Sequence, residues 1–291
     1  MYNTIIIGAG PAGMAAALYL ERSGLSCLII DKDAPGGEML KTDKIENYLG
    51  FDNINGADLA LKMFKQIKET GVTYVYGKVT GIRKESKFTV TTETDSYQSD
   101  HVIIATGKIN NKLGLDNEDK VKGISYCAVC DGSFYKNKIV GIVGAGNAAF
   151  TEALYLSSLA KQVYIINRSE RIRADKIYQT KVKNKENIIY LANAIVTGIN
   201  EQDNVLTSVI INDKEVLKLD GLFLAIGGKP QVDFINGLEE ENGYLLVNEK
   251  METNIKGLYA IGDVIKKDYY QIGTAINDGI VAALSIKEGE I

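Results

Sequence analysis

Cysteine and histidine are scarce: 291 residues carry 3 Cys and 1 His. Three cysteines cannot build a disulfide framework, which removes the small cross-linked secreted classes and points to a reducing compartment. Zinc usually takes a second cysteine pair or nearby histidines. Beyond Cys127 and Cys130 the chain offers only Cys27 and His101, both distant in sequence, so no metal site is expected. Cys27 and His101 read as structural residues on strands. Apolar runs are short, none approaching the roughly 20 residues that span a bilayer, and no membrane partner is expected. Excess positive charge is also missing. The 33 Lys and Arg against 37 Asp and Glu leave a net charge of −4, which gives no sign of nucleic-acid binding. Met1-Tyr2-Asn3 runs straight into a strand-like stretch, so no export leader is expected and the cytoplasm is the expected location. What is present is length for about two domains, in an ordinary globular composition.

Against that background Ser125-Tyr126-Cys127-Ala128-Val129-Cys130-Asp131-Gly132 stands out. Two thiols separated by two residues can close a small disulfide and cycle. Exchange needs a thiolate to attack and a proton for the leaving thiol, and Asp131 would carry that proton if burial raises its pKa. The plainer alternative is two buried cysteines and a helix-capping Asp. The surroundings decide between them.

Thr4-Ile5-Ile6-Ile7 is a β-branched run suited to a central parallel strand. Gly8-Ala9-Gly10-Pro11-Ala12-Gly13 follows, then an apolar helix-like stretch to Gly24, a second apolar run 27–30, and Asp31. Strand, glycine turn, helix, strand and acid form the dinucleotide fingerprint. Gly8 makes the turn, Gly10 lets backbone amides approach a pyrophosphate, Gly13 permits close helix packing, and Asp31 is placed for a ribose hydroxyl. The unit recurs as a strand over 139–143, the turn Gly144-Ala145-Gly146-Asn147-Ala148-Ala149, a helix over 150–159 and a strand over 163–166. The step from Gly8 to Asp31 equals the step from Gly144 to Asn167, and Ala-Leu-Tyr-Leu stands at the same offset in both. Two such sites in one chain point to electron transfer between two cofactors, normally a flavin and a nicotinamide.

Between the repeats, 57–70 reads as an amphipathic helix, with strands over 72–79, 81–84, 87–92, 96–98 and 101–105. Later strands are expected at 205–212, 215–219, 221–226 and 244–247, then 258–263 and a closing helix over 274–286. The expected architecture is α/β with two Rossmann-like domains, the second inserted into the first. The split domain covers 1–111 and 232–291; the inserted domain covers 112–231 and carries the cysteine pair.

In this order the elements closely resemble low-molecular-weight thioredoxin reductase, over nearly the full length. The likeness rests on Gly8–Gly13, Pro35-Gly36-Gly37, Glu46-Asn47-Tyr48, Ala105-Thr106-Gly107, Cys127–Asp131, Gly144–Ala149, the segment 253–263 and Gln271. It implies a flavoprotein oxidoreductase with FAD in the split domain and NADPH in the inserted one. For FAD it assigns Gly8, Gly10, Pro11, Ala12, Gly13, Asp31, Gly36, Gly37, Glu38, Asn47, Val79, Ala105, Thr106, Gly107, Gly262, Asp263, Gln271 and Ile272. For the nicotinamide dinucleotide it assigns Gly144, Gly146, Asn147, Ala148, Ala149, Arg168 and Arg173. It makes Cys130 the thiol facing the flavin, Cys127 the thiol that attacks the partner disulfide, and Asp131 the acid/base. Thioredoxin or a thioredoxin-like protein is the implied partner, and a homodimer the implied assembly. Family members rotate the inserted domain, which places hinges near 111–115 and 227–231.

The donor site departs from the family pattern. A His and two consecutive Arg, then another Arg after three residues, are replaced here by Asn167-Arg168-Ser169-Glu170-Arg171-Ile172-Arg173. No acid stands where Asp31 stands in the first repeat, which speaks against unphosphorylated NAD, while the arginines suit a ribose 2′-phosphate. Glu38 and Tyr270 also replace the Gln and Arg of many relatives. The alternative on the same scaffold is a flavoprotein that does not use NADPH, either a ferredoxin-dependent thioredoxin reductase or a dithiol oxidase.

Overall fold

A computed structural model describes residues 1–42 and 44–290. The chain divides into two compact units: Met1–Ile109 with Lys229–Ile291, and Asn110–Gly228.

The first unit begins with β1 (Tyr2–Ile7), α1 (Pro11–Arg22) and β2 (Cys27–Asp31). It continues through α2 (Gly56–Glu69), β3 (Thr73–Tyr76), β4 (Val79–Lys84), β5 (Phe88–Thr92) and β6 (Ser96–Ile104). The sheet runs β3-β2-β1-β6-β5-β4, with β1 parallel to both β2 and β6. Ile5, Ile6, Leu28, Ile29, Val102 and Ile103 are wholly buried, as expected of central strands covered on both faces. The sequence pattern suggested two strands over 96–98 and 101–105; the structure has one. The polar pair Ser99-Asp100 looks like a break, but β6 is long enough to pair antiparallel with β5 at its start and parallel with β1 at its end. Buried Ser99 is accommodated because its hydroxyl donates to the His101 carbonyl at 2.7 Å.

In the second unit five parallel strands lie in the order Ile188–Leu191, Gln162–Ile166, Ile139–Val143, Gly221–Leu224 and Ile124–Ser125. Three helices accompany them: α3 (Ala128–Asp131), α4 (Asn147–Ser157) and α5 (Lys176–Lys183). A three-stranded antiparallel sheet is formed by Val196–Gln202, Val205–Ile211 and Glu215–Lys218. Phe150, Leu156, Val163 and Phe223 form the centre of one apolar layer; Leu206, Val209, Leu219 and Leu222 belong to the other.

The tail then rejoins the first unit. The strand Leu258–Ala260 pairs parallel with β6, and α6 (Ile272–Gly289) packs on α1. A Cβ on Gly279 would sit 2.3 Å from the Ala12 carbonyl oxygen, so the two helices approach at backbone distance there. The end of the tail is tied to the strands: Glu290 Oε1 lies 3.1 Å from both His101 Nε2 and Asn3 Nδ2. His101 thus has a structural setting. Among the described residues no helix is long and apolar enough to cross a membrane.

Candidate active site

The two glycine turns are built alike. Gly8 (φ 110°) and Gly144 (φ 141°) lie in the left-handed region that other residues seldom adopt. A Cβ on Gly8 would meet the Ala105 carbonyl oxygen at 2.3 Å, and one on Gly144 the Ala225 oxygen at 2.5 Å. Each first glycine donates to the end of the neighbouring strand, Gly8 to Ile30 and Gly144 to Ile166. Gly10 and Gly146 are the extended residues preceding α1 and α4. The repeats differ at the third position, where Gly13 approaches the Gly8 oxygen so closely that a Cβ would sit at 2.0 Å; buried Ala149 fills the corresponding place in the second.

In the first unit the predicted residues gather around that turn. The Gly36 N–H donates to the Ala9 oxygen at 2.9 Å, and Gly37 (φ 58°) faces Gly10. Asp31 Oδ2 accepts from the Ala9 N–H at 2.5 Å, and burial holds its carboxyl above the ordinary range. Ala105 bonds back to Ile7, the Thr106 hydroxyl donates to the Gln231 oxygen at 2.9 Å, and Gly107 turns the chain at φ 64°. Gly262 rests on Ala12, with Asp263 directly after it. Burial raises Asp263, while Lys108 and Lys267 act in the opposite direction. Asn47 and Gln271, far apart in sequence, are joined by a 3.1 Å bond from Asn47 Nδ2 to Gln271 Oε1. Ile272 opens α6 and packs on the core beside α1. Glu38 is exposed and pairs with Lys41. Val79 opens β4 and is buried in the apolar layer that holds Phe88 and Val90 together with Ile7 and Ile30.

In the second unit Cys127 and Cys130 form a disulfide, with Cα atoms 5.3 Å apart. Cys127 precedes α3, and its Sγ accepts from the Cys130 N–H at 3.2 Å. The Ser125 hydroxyl donates to Asp131 Oδ2 at 2.6 Å, and the Cys127 N–H donates to Ser125 Oγ at 3.1 Å. One serine therefore connects the acid to the backbone of the first cysteine. Burial raises the Asp131 pKa and the Ser125 bond lowers it. Asp131 lies inside α3 and does not cap it.

The arginine segment is fastened to the second glycine turn. Arg173 and Ala174 donate their N–H groups to the Ala145 oxygen at 2.8 and 2.9 Å. Asn147 and Asp175 bond reciprocally, Nδ2 to Oδ2 at 3.0 Å and Asp175 N–H to Oδ1 at 2.7 Å. Ala148 is exposed beside Asn147, and Ala149 is buried.

Comparison with known proteins agrees with this geometry. Residues 2–279 match the family described as "Pyridine nucleotide-disulphide oxidoreductase". The chain is 41% identical to a thioredoxin reductase of Mycoplasma pneumoniae, covering 99% of this chain and 95% of that one. It is 39% identical to that of Bacillus subtilis, covering 99% and 94%. It belongs to the thioredoxin reductase family. A solved thioredoxin reductase from Streptococcus pyogenes matches with a TM-score of 0.93 at 38% identity, covering 100% of this chain and 99% of that one. These thioredoxin reductase relatives favour the first reading of the sequence over the ferredoxin-dependent one.

Two groups went unmarked in the sequence. Lys267 and Asp278 form a 2.7 Å ion pair with side chains only 14% and 8% exposed, and Asp278 also accepts from the Gly262 N–H. Glu118 is buried and accepts from the Leu113 and Gly114 N–H groups and the Tyr126 hydroxyl, bracing 113–114 to the residue before Cys127. A lone Asp in an apolar helix is a weak sign of the first; Glu118 stands in a charged stretch that reads as solvated surface.

Proposed function

We propose that the chain is a cytoplasmic NADPH-dependent thioredoxin reductase, passing two electrons from NADPH to the disulfide of thioredoxin or a thioredoxin-like protein through the Cys127–Cys130 pair. The observation that carries the reading is the disulfide of Cys127 and Cys130, with Asp131 hydrogen-bonded to Ser125 beside it, in a chain with two glycine turns of matching construction. Bound FAD would supply the two-electron chemistry that links a nicotinamide to the disulfide.

The glycine turns fit two dinucleotides. Among the described residues, nothing lies within 4 Å of a Cβ placed on Gly10 or Gly146, and neither α1 nor α4 is capped by a side chain. Open space above an uncapped helix start suits a pyrophosphate. Gly8, Gly10, Pro11, Ala12, Gly13, Gly36 and Gly37 would hold that of FAD, with Asp31 at the ribose, Asp263 at the ribityl or phosphate region, and Asn47 and Gln271 nearer the ring. Gly144, Gly146, Asn147, Ala148 and Ala149 would hold that of NADPH, with Arg168 and Arg173 at its 2′-phosphate. In this reading Met1–Ile109 with Lys229–Ile291 is the FAD domain and Asn110–Gly228 the NADPH domain.

Cys127 is assigned as the attacking thiol because the Cys130 N–H points at its sulfur, a contact that stabilises a thiolate. Cys130 then closes the disulfide again, and Asp131 gives or takes the proton of the exchanging thiols. Val129 and Phe134 are 52% and 38% exposed beside the pair and offer an apolar surface to a partner protein. By the family likeness the enzyme acts as a homodimer.

Anaerobic titration of the purified yellow protein with NADPH, and separately with NADH, tests the reading. Bleaching of the flavin band by low micromolar NADPH is the expected result. Absence of bleaching by either, with normal reduction by dithionite, would overturn the assignment of NADPH as donor.

A further inference from the structure

Asp31 and Asn167 occupy equivalent places at the end of the second strand of each repeat, Asp31 as its last residue and Asn167 as the first beyond it, yet they are used in opposite ways. Asp31 accepts from the glycine turn, through the Ala9 N–H. Asn167 is 6% exposed, and its amide nitrogen is directed at the following loop. Nδ2 lies 2.6 Å from the Ser169 carbonyl oxygen, 3.2 Å from that of Arg171 and 2.7 Å from the Tyr190 hydroxyl, and its two N–H groups are shared among these three oxygens. Its backbone is fixed as well, with its N–H on the Leu191 oxygen and its carbonyl accepting from Ala194. Tyr190 is itself packed against the Phe150 ring, with centroids 6.1 Å apart.

The loop so formed carries Arg168, Arg171 and Arg173, all exposed. Its far end is bonded to the glycine turn through Arg173, Ala174 and the Asn147–Asp175 pair. The single acid in the segment, Glu170, accepts from Asn193 Nδ2 at 3.2 Å. Two carbonyls held by one buried amide fix a tight turn, and a fixed turn loses less entropy when its arginines engage a ligand. An acid at position 167 would contact ribose hydroxyls, as in sites for unphosphorylated dinucleotides. It would also set its oxygens against the Ser169 and Arg171 carbonyls.

We propose that Asn167 is a positioning residue for donor selectivity: its amide clamps the 168–173 turn so that the three arginines present a 2′-phosphate site, without Asn167 itself touching the dinucleotide. The inference rests on the NADPH reading above and adds to it the residue that takes over from the missing charged positions of the family pattern. Ser169, which stands in place of an arginine, contributes its carbonyl to the clamp.

The test uses the oxidised, FAD-loaded full chain and calorimetric binding of NADP⁺ and NAD⁺. Asn167→Leu removes the donors without adding charge. Affinity for NADP⁺ is expected to fall about tenfold, while that for NAD⁺ changes less than about threefold. Tyr190→Phe removes the side-chain oxygen that orients the amide from the neighbouring strand and is expected to lower the NADP⁺ preference by about twofold to fivefold. It decides the matter should Asn167→Leu fail to fold. Equal losses for both nucleotides would reduce Asn167 to a general structural role and overturn the proposal. So would an unchanged preference in both variants. A parent protein with no preference for NADP⁺ over NAD⁺ would fail at the donor reading itself, before any variant is compared.

Discussion

The Ser125 hydroxyl and the Asp131 carboxylate meet at 2.6 Å, the two residues bracketing the cysteine pair in sequence. Burial favours the neutral acid, and the serine bond favours the anion. A step that needs protonated Asp131 therefore declines as pH rises through a pKa above 3.8. Ser125→Ala removes the lowering contribution and should move that decline to higher pH. Asp131→Asn should abolish it and slow exchange by about a hundredfold. The sign for stability is the same: a raised folded pKa contributes stability below the unfolded value that is lost as pH rises through the folded one. Asp131→Asn should thus be no less stable than the parent at neutral pH. Rates of thioredoxin reduction against pH, with urea melts at pH 7, check both.

Removing either thiol separates the roles of the pair. Cys127→Ser and Cys130→Ser should both retain FAD and both lose disulfide reductase activity. In Cys130→Ser the remaining Cys127 keeps the N–H at position 130 as a partner, and should trap thioredoxin as a mixed disulfide visible on a non-reducing gel. Cys127→Ser should trap little. The reverse pattern would exchange the two assignments, and full activity in either variant would sink the mechanism.

Much of the architecture is legible because its signals are local. The runs before Gly8 and Gly144, the turns themselves and the equal steps to positions 31 and 167 announce two nucleotide folds without any long-range information. What escapes is set by tertiary contact. The strand β6 looks broken because Ser99 is polar, and only its bond to the His101 carbonyl makes it a core residue. Helix α5 has only 8 residues, mostly polar, and buries only Val182, so its sequence offers too short a pattern to mark a helix. The bond from Asn47 to Gln271 joins residues from opposite ends of one unit, and the clamp of Asn167 depends on Tyr190 from another strand. Family likeness suggests that Asn47 and Gln271 share a site; the sequence alone has no means of showing that they touch.

Gly10 and Gly13 should separate cofactor binding from folding. Gly10 is extended, with φ −73° and ψ 179°, and open space surrounds the place of its Cβ. Gly10→Ala should leave the melting temperature of the cofactor-free protein unchanged while weakening FAD by about tenfold, since the methyl group enters the pyrophosphate space. Gly13→Ala drives a methyl group into the Gly8 carbonyl, and overpacking of that kind costs about 1–3 kcal/mol. Thermal melts with and without FAD, and fluorescence titration of the stripped protein, distinguish the two. Gly146→Ala should act as Gly10→Ala does, with NADPH binding weakened and FAD retained.

The ion pair of Lys267 and Asp278 should matter through what is left behind when it is broken. Asp278 is nearly inaccessible and receives both the lysine and the Gly262 N–H, which fixes the turn that carries Asp263. Lys267→Met strands a buried carboxylate, at a cost of about 3–5 kcal/mol, and removes one of the two lysines that restrain the raised pKa of Asp263. Lys267→Met with Asp278→Asn leaves no charge to strand, and the amide oxygen still accepts from Gly262, so most of the loss should be recovered. Urea midpoints for the parent, both single variants and the double variant measure the coupling directly. A double variant as unstable as Lys267→Met would mean that the packing of the lysine chain, and not its charge, holds the turn.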